Sequence, residues 1–420
     1  MVVAGASEES VRRLFGSVAK GVRPRNASLP EADRMIRSVN SLLKKARLKA
    51  VCVAGGSYAK GTALKDNFDV DLFVRFDYSY KNEDISALLA RAISSLKPEI
   101  VHGSRDYFQI KKGKLLFEVI PVLRIDDYRS ALNVTDMSPL HVVYIEKRMK
   151  NKPALRDEVR LAKQFCKGIR VYGAESYIRG FSGHVLELLI VYYGSFEQLL
   201  KQAALWGERV VIDIEHHWKD PLRELNYAKT ISPLVIVDPI QPDRNAAAAV
   251  SKETFDCLRV QARRFLESPS GSFFKVRKLS IPLVKKRAGK DWLVLVKAVP
   301  LKGKDDIMGS KVLKVHEHFQ MALRKHEFKL LEAGWEYAPV CTLYYIIKKE
   351  RFSDKLLITG PPVKVRPNAD QFREKHKSAF ENRGRLFAEE KRLFKVPGQL
   401  LKALFKEGHI KDKVKRISLL

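Results

Sequence analysis

Two aspartates stand two residues apart in Asp69-Val70-Asp71-Leu72-Phe73-Val74, and this run restricts the chain's architecture more than any other. Its apolar, β-branched and aromatic neighbours predict a strand from Val70 to Phe76. Residues i and i+2 of a strand share a face, so both carboxylates point the same way. Aligned carboxylates repel unless a cation sits between them. Hard divalent ions fit, Mg²⁺ in particular, because it takes one or two carboxylates plus substrate phosphates. Taken alone, the pair also fits an exposed strand face with two solvated acids.

The residues just upstream change that weighing. A short strand, Val51 to Ala54, runs into a Gly55-Gly56-Ser57 turn, followed by Lys60. Successive backbone N–H groups in such a turn form an anion-binding concavity. The Ser57 hydroxyl and the Lys60 ammonium add donors for a triphosphate. The segment is not a P-loop, because Gly61 is followed by Thr62 and not by Lys-Ser/Thr. A phosphate cradle, a short connection and two acids on a strand are what two-metal nucleotidyl transfer requires. One ion would lower the pKa of an attacking 3′-hydroxyl, and the other would hold the triphosphate and the leaving pyrophosphate. The candidate third carboxylate is Glu118, within Leu116-Phe117-Glu118-Val119-Ile120-Pro121, where a charge is costly unless paired or metal-bound. The alternative for Glu118 is an edge-strand position facing solvent. Asp126 and Asp127 lie beyond the strand and fit less well.

Charge indicates the partner. With 78 Lys+Arg against 48 Asp+Glu, the formal net charge is +30. Such an excess favours a polyanion, since neutralising phosphates releases condensed counterions. It runs to the end of the chain through Arg383, Arg385, Lys391, Arg392, Lys395 and the cluster from Lys411 to Arg416, which suits an extended RNA track. No apolar stretch approaches the roughly 18 residues that span a bilayer. The longest, Val185 to Tyr193, contains Glu187, and the expected location is cytoplasmic, with no membrane partner. Cys52, Cys166, Cys257 and Cys341 show no C-x-x-C spacing and read as buried small hydrophobes.

A length of 420 residues implies several domains. Ser28-Leu29-Pro30-Glu31 is a helix start, with Met35, Val39, Leu42 and Leu43 at helical spacing. Ile85, Leu88, Leu89 and Ile93 suggest another helix. Strands are expected at Tyr107–Ile110 and Leu115–Leu123. From Asp157 the pattern is helical, with short strands at Val210–Ile214 and Leu234–Val237 and a helix from Ser251 to Leu266. Ser268-Pro269-Ser270-Gly271-Ser272 reads as a boundary. Beyond it come a strand from Trp292 to Ala298, a helix from Lys311 to Ala333, and strands at Val340–Lys348 and Leu356–Ile358. This β-α-β-β order fits a ferredoxin-like α+β unit. Basic helical segments, Ala369–Arg392 and Gly398–Lys406, close the chain.

These motifs carry a resemblance. Gly-Ser-Tyr-Ala-Lys-Gly-Thr (56–62) followed by Asp-Val-Asp-Leu-Phe-Val (69–74) resembles the nucleotidyltransferases of the polymerase-β superfamily. Glu158 to Lys163, Val171 to Glu175, Arg179 to Gly183, Glu187 to Ile190, Asp238-Pro239-Ile240, Arg244-Asn245 and Phe273-Phe274-Lys275 resemble the class I, archaeal-type CCA-adding enzymes. The likeness covers about residues 30 to 280 by motif and the remainder by domain order. It implies an α+β chain with a nucleotidyltransferase head over 1–149, a mainly helical central nucleotide-recognition domain over 150–268, a ferredoxin-like body over 269–362 and a basic helical tail over 363–420. It implies that Asp69 and Asp71 bind the metals, and that Ser57 and Lys60 meet the triphosphate, although arginine is more usual at 60. Glu118 falls where the family usually has aspartate, one methylene shorter. His141, Lys163 and Tyr172 match residues on the nucleotide's phosphates and sugar, and Arg244 one that reads the base with its planar fork.

The implied reaction is template-free addition of C, C and A to tRNA, from CTP and ATP with Mg²⁺. The C-terminal regions would hold the acceptor stem and TΨC arm by backbone and shape. Relatives are often homodimers. Two rivals remain at this stage: a poly(A) polymerase or other terminal nucleotidyltransferase, and a catalytically silent RNA-binding protein on the same fold.

Overall fold

The computed structural model describes residues 8–24, 29–65 and 69–420, and Ser28, expected as a helix cap, lies outside them. The chain forms two compact units, 1–276 and 277–420. No helix among the described residues is long and apolar enough to cross a membrane.

The N-terminal unit opens with α1 (Glu8–Val22) and α2 (Leu29–Lys45). Ala32, Met35, Val39 and Leu43 form the buried stripe of α2 at helical spacing. Then come β1 (Ala50–Ala54), the one-turn helix α3 (Gly56–Ala59), β2 (Asp69–Phe76), α4 (Ile85–Ala92), β3 (Glu99–Val101), β4 (Tyr107–Lys112) and β5 (Leu115–Leu123). The sheet order is β1-β2-β5-β4-β3, with β2 and β5 parallel at its centre and the other pairs antiparallel. Val70, Leu72, Val74 and Phe76 are buried in the core that α2 and α4 share with the sheet. By the period of two, Asp69, Asp71, Phe73 and Arg75 fall on the opposite face. There Phe73 and Val122 pack against Val142 of α5 (Ser138–Lys150).

The helical part continues with α6 (Leu155–Gly168), α7 (Gly183–Tyr193), α8 (Phe196–Leu205), β6 (Val210–Ile212), α9 (Pro221–Glu224), β7 (Leu234–Ile236) and α10 (Lys252–Glu267). β6 and β7 pair in parallel. Ser182 caps α7 by accepting from the Val185 amide, and Gly194, at φ +84°, ends it. Apart from His184 and Glu187, α7 is apolar, and Val185 to Ile190 are buried in the core. The expected boundary at Ser268 to Ser272 falls a few residues before the division between the two units, and it leads into a turn whose Phe274 is buried. With Phe15, Phe165, Phe196 and Phe265 it forms an aromatic cluster.

The C-terminal unit contains α11 (Ile281–Ala288), β8 (Trp292–Pro300), α12 (Asp305–Lys325), β9 (Leu330–Glu336), β10 (Cys341–Ile347), β11 (Lys355–Pro362), α13 (Arg366–Lys375), β12 (Ala379–Asn382), β13 (Arg385–Lys391), α14 (Pro397–Leu404), α15 (Gly408–Lys411) and β14 (Val414–Leu419). β14-β8-β10-β9 is antiparallel throughout. In chain order this is 4-1-3-2 with helices after the first and third strands, the ferredoxin-like plan. α12 and α14 cover one face through Val312, Val315, Phe319, Leu323, Leu400 and Leu401. A second sheet, β11-β13-β12, is inserted between the third strand and α14.

Four expectations need correcting. The helix placed at Lys311–Ala333 ends at Lys325, and residues up to Ala333 begin β9. The Leu356–Ile358 strand belongs to the inserted sheet. The tail is not simply helical: α13 stops at Lys375, and the remainder to Arg392 is largely a hairpin. Arg383 and Gly384 both take positive φ (49° and 76°), the two-residue turn that joins strands of matching twist. Leu386 and Ala388 are buried while Glu389 and Lys391 are exposed, a period of two hidden by the basic composition. Arg392 is itself buried, donating to Glu327 and to the carbonyls of Ser353 and His326. Cys52, Cys166 and Cys341 are buried, but Cys257 is only half-buried.

Candidate active site

The parallel pairing of β2 with β5 sets Asp71 directly beside Glu118, with Asp69 two register pairs before it, opposite Leu116. Like charges side by side on one sheet face destabilise each other. Burial, then the Glu118 charge, push the Asp71 carboxyl up to about 6, with Asp69 adding and Lys60 and Lys163 opposing. Gln109, across from Glu118 on β4, donates from Nε2 to Glu118 Oε1 at 2.8 Å. Glu118 therefore sits within the sheet and not at an edge.

The glycine turn closes onto these acids. The Gly55 amide donates to the Asp71 carbonyl at 2.8 Å. Gly56 has φ +50°, and a Cβ there would lie 1.6 Å from Asp71 Oδ2. Only glycine lets the backbone approach that carboxylate. Ser57 follows in the first turn of α3, half-buried. Three arginine contacts from α6 hold the end of the loop: Arg156 Nε to the Lys60 carbonyl at 3.2 Å, Arg160 Nε to that of Ala63 at 3.0 Å, and Arg160 to that of Gly61.

Beyond the loop lies a group that sequence reasoning left out of the site. Glu187, on α7, is fully buried. Its Oε1 accepts from Thr62 Oγ1 at 2.7 Å and from Lys163 Nζ at 3.1 Å, and its Oε2 accepts from Lys60 Nζ. Burial alone would raise this carboxyl, but Lys163, Lys60 and His184 hold it well below the ordinary range. Burial lowers the Lys163 ammonium, with Glu187 opposing. Lys163 meets three acceptors, the Thr62 carbonyl at 3.3 Å, Thr62 Oγ1 at 3.0 Å and Glu187, which equals its three donors. The available signal was a lone acid in a continuous apolar helix.

The other expected residues join the same polar line. Tyr172 is half-buried. Burial, then Glu187, raise its phenol. A side chain at Gly183 would meet the Tyr172 hydroxyl at 3.2 Å and Lys163 Cε at 3.3 Å, so glycine keeps both close to the start of α7. His141, early in α5, pairs through Nε2 with buried Asp238 at 2.9 Å, and Arg244 Nη1 reaches the same carboxylate at 2.9 Å. His141 and His184 meet ring to ring at 4.8 Å, and His184 lies 3.8 Å from Glu187. Asp238, which follows the apolar β7, is a second linking residue, quoted in a motif but left out of the expected site.

Sheet, glycine turn and paired strand acids define a nucleotidyltransferase. Residues 33–124 match the nucleotidyltransferase domain family, 157–275 the second domain of tRNA nucleotidyltransferases, and 294–417 the C-terminal domain of CCA-adding enzymes. The chain is 31% identical to the CCA-adding enzyme of Nanoarchaeum equitans over 385 residues, 89% of this chain and 92% of that enzyme. It is 32% identical to that of Sulfolobus acidocaldarius over 343 residues, 80% of this chain and 79% of that enzyme. The chain belongs to the family of CCA-adding enzymes. Solved structures of a cytoplasmic RNA terminal U-transferase (TM-score 0.51, 16% identity) and of the Cid1 poly(U) polymerase (TM-score 0.53, 15% identity) share the fold. Each aligns with 65% of this chain and 100% of the other, and the head has the polymerase-β-like nucleotidyltransferase fold.

Proposed function

We propose that this chain adds C, C and A to the 3′ end of tRNA, using CTP and ATP without a nucleic-acid template. The RNA 3′-oxygen bonds to the α-phosphorus of the incoming nucleotide, the bond to the bridging oxygen breaks, and pyrophosphate leaves. The observation that carries the reading is Asp71 set beside Glu118 beneath the Gly55-Gly56 turn, in a chain related along most of its length to CCA-adding enzymes.

The acids fit a divalent cation, because burial and the Glu118 charge raise the Asp71 carboxyl despite Lys60 and Lys163, and Asp69, Asp71 and Glu118 would hold it. We assign Mg²⁺. Bound there, it neutralises carboxylate and phosphate charge and lowers the pKa of the attacking hydroxyl. Ser57 and Lys60 would orient the triphosphate. Lys163 would join them by exchanging its long bond to the Thr62 carbonyl for a phosphate oxygen. Tyr172 and His141 would position the sugar and phosphates. Arg244, with part of its fork on Asp238, would present remaining donors to the base. The four-part division, with the tail over 363–420 and the body holding the acceptor stem and TΨC arm, a cytoplasmic location and a homodimer belong to the same reading.

The test is incubation with tRNA lacking its terminal CCA, plus labelled CTP, ATP and Mg²⁺. Two C additions followed by a single A are expected. Long A-tails from ATP alone would replace the reading with a poly(A)-type polymerase. Salt-sensitive RNA binding without any incorporation would leave only an RNA-binding protein.

A further inference from the structure

The C-terminal unit brings together three side chains that nucleotide transfer does not use. His318 lies on α12, Glu407 precedes α15 and His409 is within it. His318 Nε2 stands 3.2 Å from Glu407 Oε2, and His409 Nε2 stands 3.4 Å from the same oxygen. The two imidazoles meet edge to face at 4.5 Å. His318 Nε2 and Glu407 Oε2 are both buried atoms with no hydrogen-bond partner among the described residues. A buried polar atom without a hydrogen bond is costly, and the three ligand atoms all lie within 4.8 Å of one another.

The spacing suggests what completes them. Zn²⁺ binds imidazole nitrogen and carboxylate oxygen at about 2.0–2.2 Å in tetrahedral geometry, which sets neighbouring ligand atoms about 3.3–3.5 Å apart. The separations of 3.2 and 3.4 Å are close to the edges of that tetrahedron. The side chains of Glu407 and His409 are 40% and 47% exposed, so water can supply the fourth ligand. His141, His184 and Asp238 also lie within reach of a common ion. There, however, Asp238 already accepts from His141, Arg244 and the amides of Ile240 and Gln241. Among the described residues the C-terminal trio has no such competing set.

We propose that His318, Glu407 and His409 form a structural site for a zinc-class divalent ion. It would tie α12 to the segment that carries α15 and β14, closing the chain around the inserted β11-β13-β12 sheet. Two imidazoles and one carboxylate suit Zn²⁺ or Co²⁺ better than Mg²⁺. Binding favours the folded state by mass action.

The test uses full-length protein stripped with a chelator and titrated with Co²⁺ in Mg²⁺-free buffer. A visible absorption typical of tetrahedral Co²⁺ is expected, bleached by one equivalent of Zn²⁺, with a thermal midpoint several degrees higher in Zn²⁺. Both signals should vanish in His409→Ala and His318→Ala and survive in Asp71→Asn and His184→Ala. Matching thermal profiles of chelated wild type and variants establish that the variants fold. No Co²⁺ spectrum in the wild type, or an unchanged one in His409→Ala, overturns the proposal whether or not the chain transfers nucleotides.

Discussion

At Asp71 the fold sets acids side by side, and the lysines nearby only partly offset their charge, whereas at Glu187 it surrounds one buried carboxylate with two ammonium groups and a hydroxyl. The carboxyls respond in opposite directions. Asp71 is raised to about 6, and Glu187 is held well below the ordinary range. A balanced buried network rigidifies what it touches. An unbalanced one holds free energy that a cation can release on binding. We read the Glu187 network as scaffold and the strand acids as the working edge, joined through Lys60 at the end of the glycine loop.

Replacing Asp71 separates the two most sharply. Asp71→Asn should lower kcat by at least about 10³-fold, because charge stabilisation by a held cation is worth several kcal/mol. Binding of tRNA should be spared. The same change should stabilise the cation-free protein at pH 8 by about 1–3 kcal/mol. The sign follows from the raised carboxyl: its stabilising contribution is present below the ordinary value of 3.8 and lost as pH rises through about 6. Denaturant titrations with and without Mg²⁺ check this. An asparagine variant that is less stable in both conditions would show that the acids are not strained against each other.

Glu187→Ala should do the reverse, acting on stability first. It strands two buried ammonium groups, at a cost of about 3–5 kcal/mol. Glu187→Gln keeps the shape and should cost less. Because the folded carboxyl is depressed, its contribution is present above about pH 4.5 and fades as pH falls toward the folded value. Urea unfolding at pH 7 and pH 4 measures both. A loss below about 1 kcal/mol for the alanine variant would remove the scaffold reading.

The working edge was legible in the sequence and the scaffold was not, for a physical reason. Asp69, Asp71 and the glycine turn act through local rules: strand alternation, and a positive φ that glycine tolerates. Glu118 was legible as an acid in an apolar strand, but its parallel register with Asp71 depends on tertiary pairing. Glu187 draws its partners from residues 60, 62 and 163, separations that no local pattern records. It looked like an argument against a membrane helix and proved to be the centre of a network. In the C-terminal unit, basic composition masked the period of two in Arg385–Lys391, and the turn at Arg383-Gly384 went unread. β9 was absorbed into α12 because Leu330 and Leu331 extend a helical apolar pattern past the helix end at Lys325.

Lys163 belongs to both regions, since it is buried in the scaffold and is expected to reach the nucleotide. Lys163→Ala should raise the KM for CTP and ATP by about 10-fold, the scale of one charge-assisted hydrogen bond. If only stability changes and KM stays put, Lys163 is scaffold alone and its three acceptors within the fold are its whole role.

The mildest change tests whether the acids sense each other. Glu118→Asp restores the shorter acid usual in the family and keeps the charge. Withdrawing the carboxylate by one methylene loosens its bond to Gln109 and relaxes the pressure on Asp71. We expect kcat to change by less than about 10-fold, or roughly 1.4 kcal/mol. The acid limb of the pH–rate profile should move to lower pH, because Asp71 ionises more readily once its neighbour retreats. Glu118→Gln should move that limb further while losing more rate, since it removes the repulsion and a ligand together. Profiles taken from pH 5 to 8 at saturating nucleotide decide the matter. An acid limb at the same pH in all three proteins would mean that Glu118 does not set the ionisation of Asp71, and the contrast would then rest on the cations around Glu187.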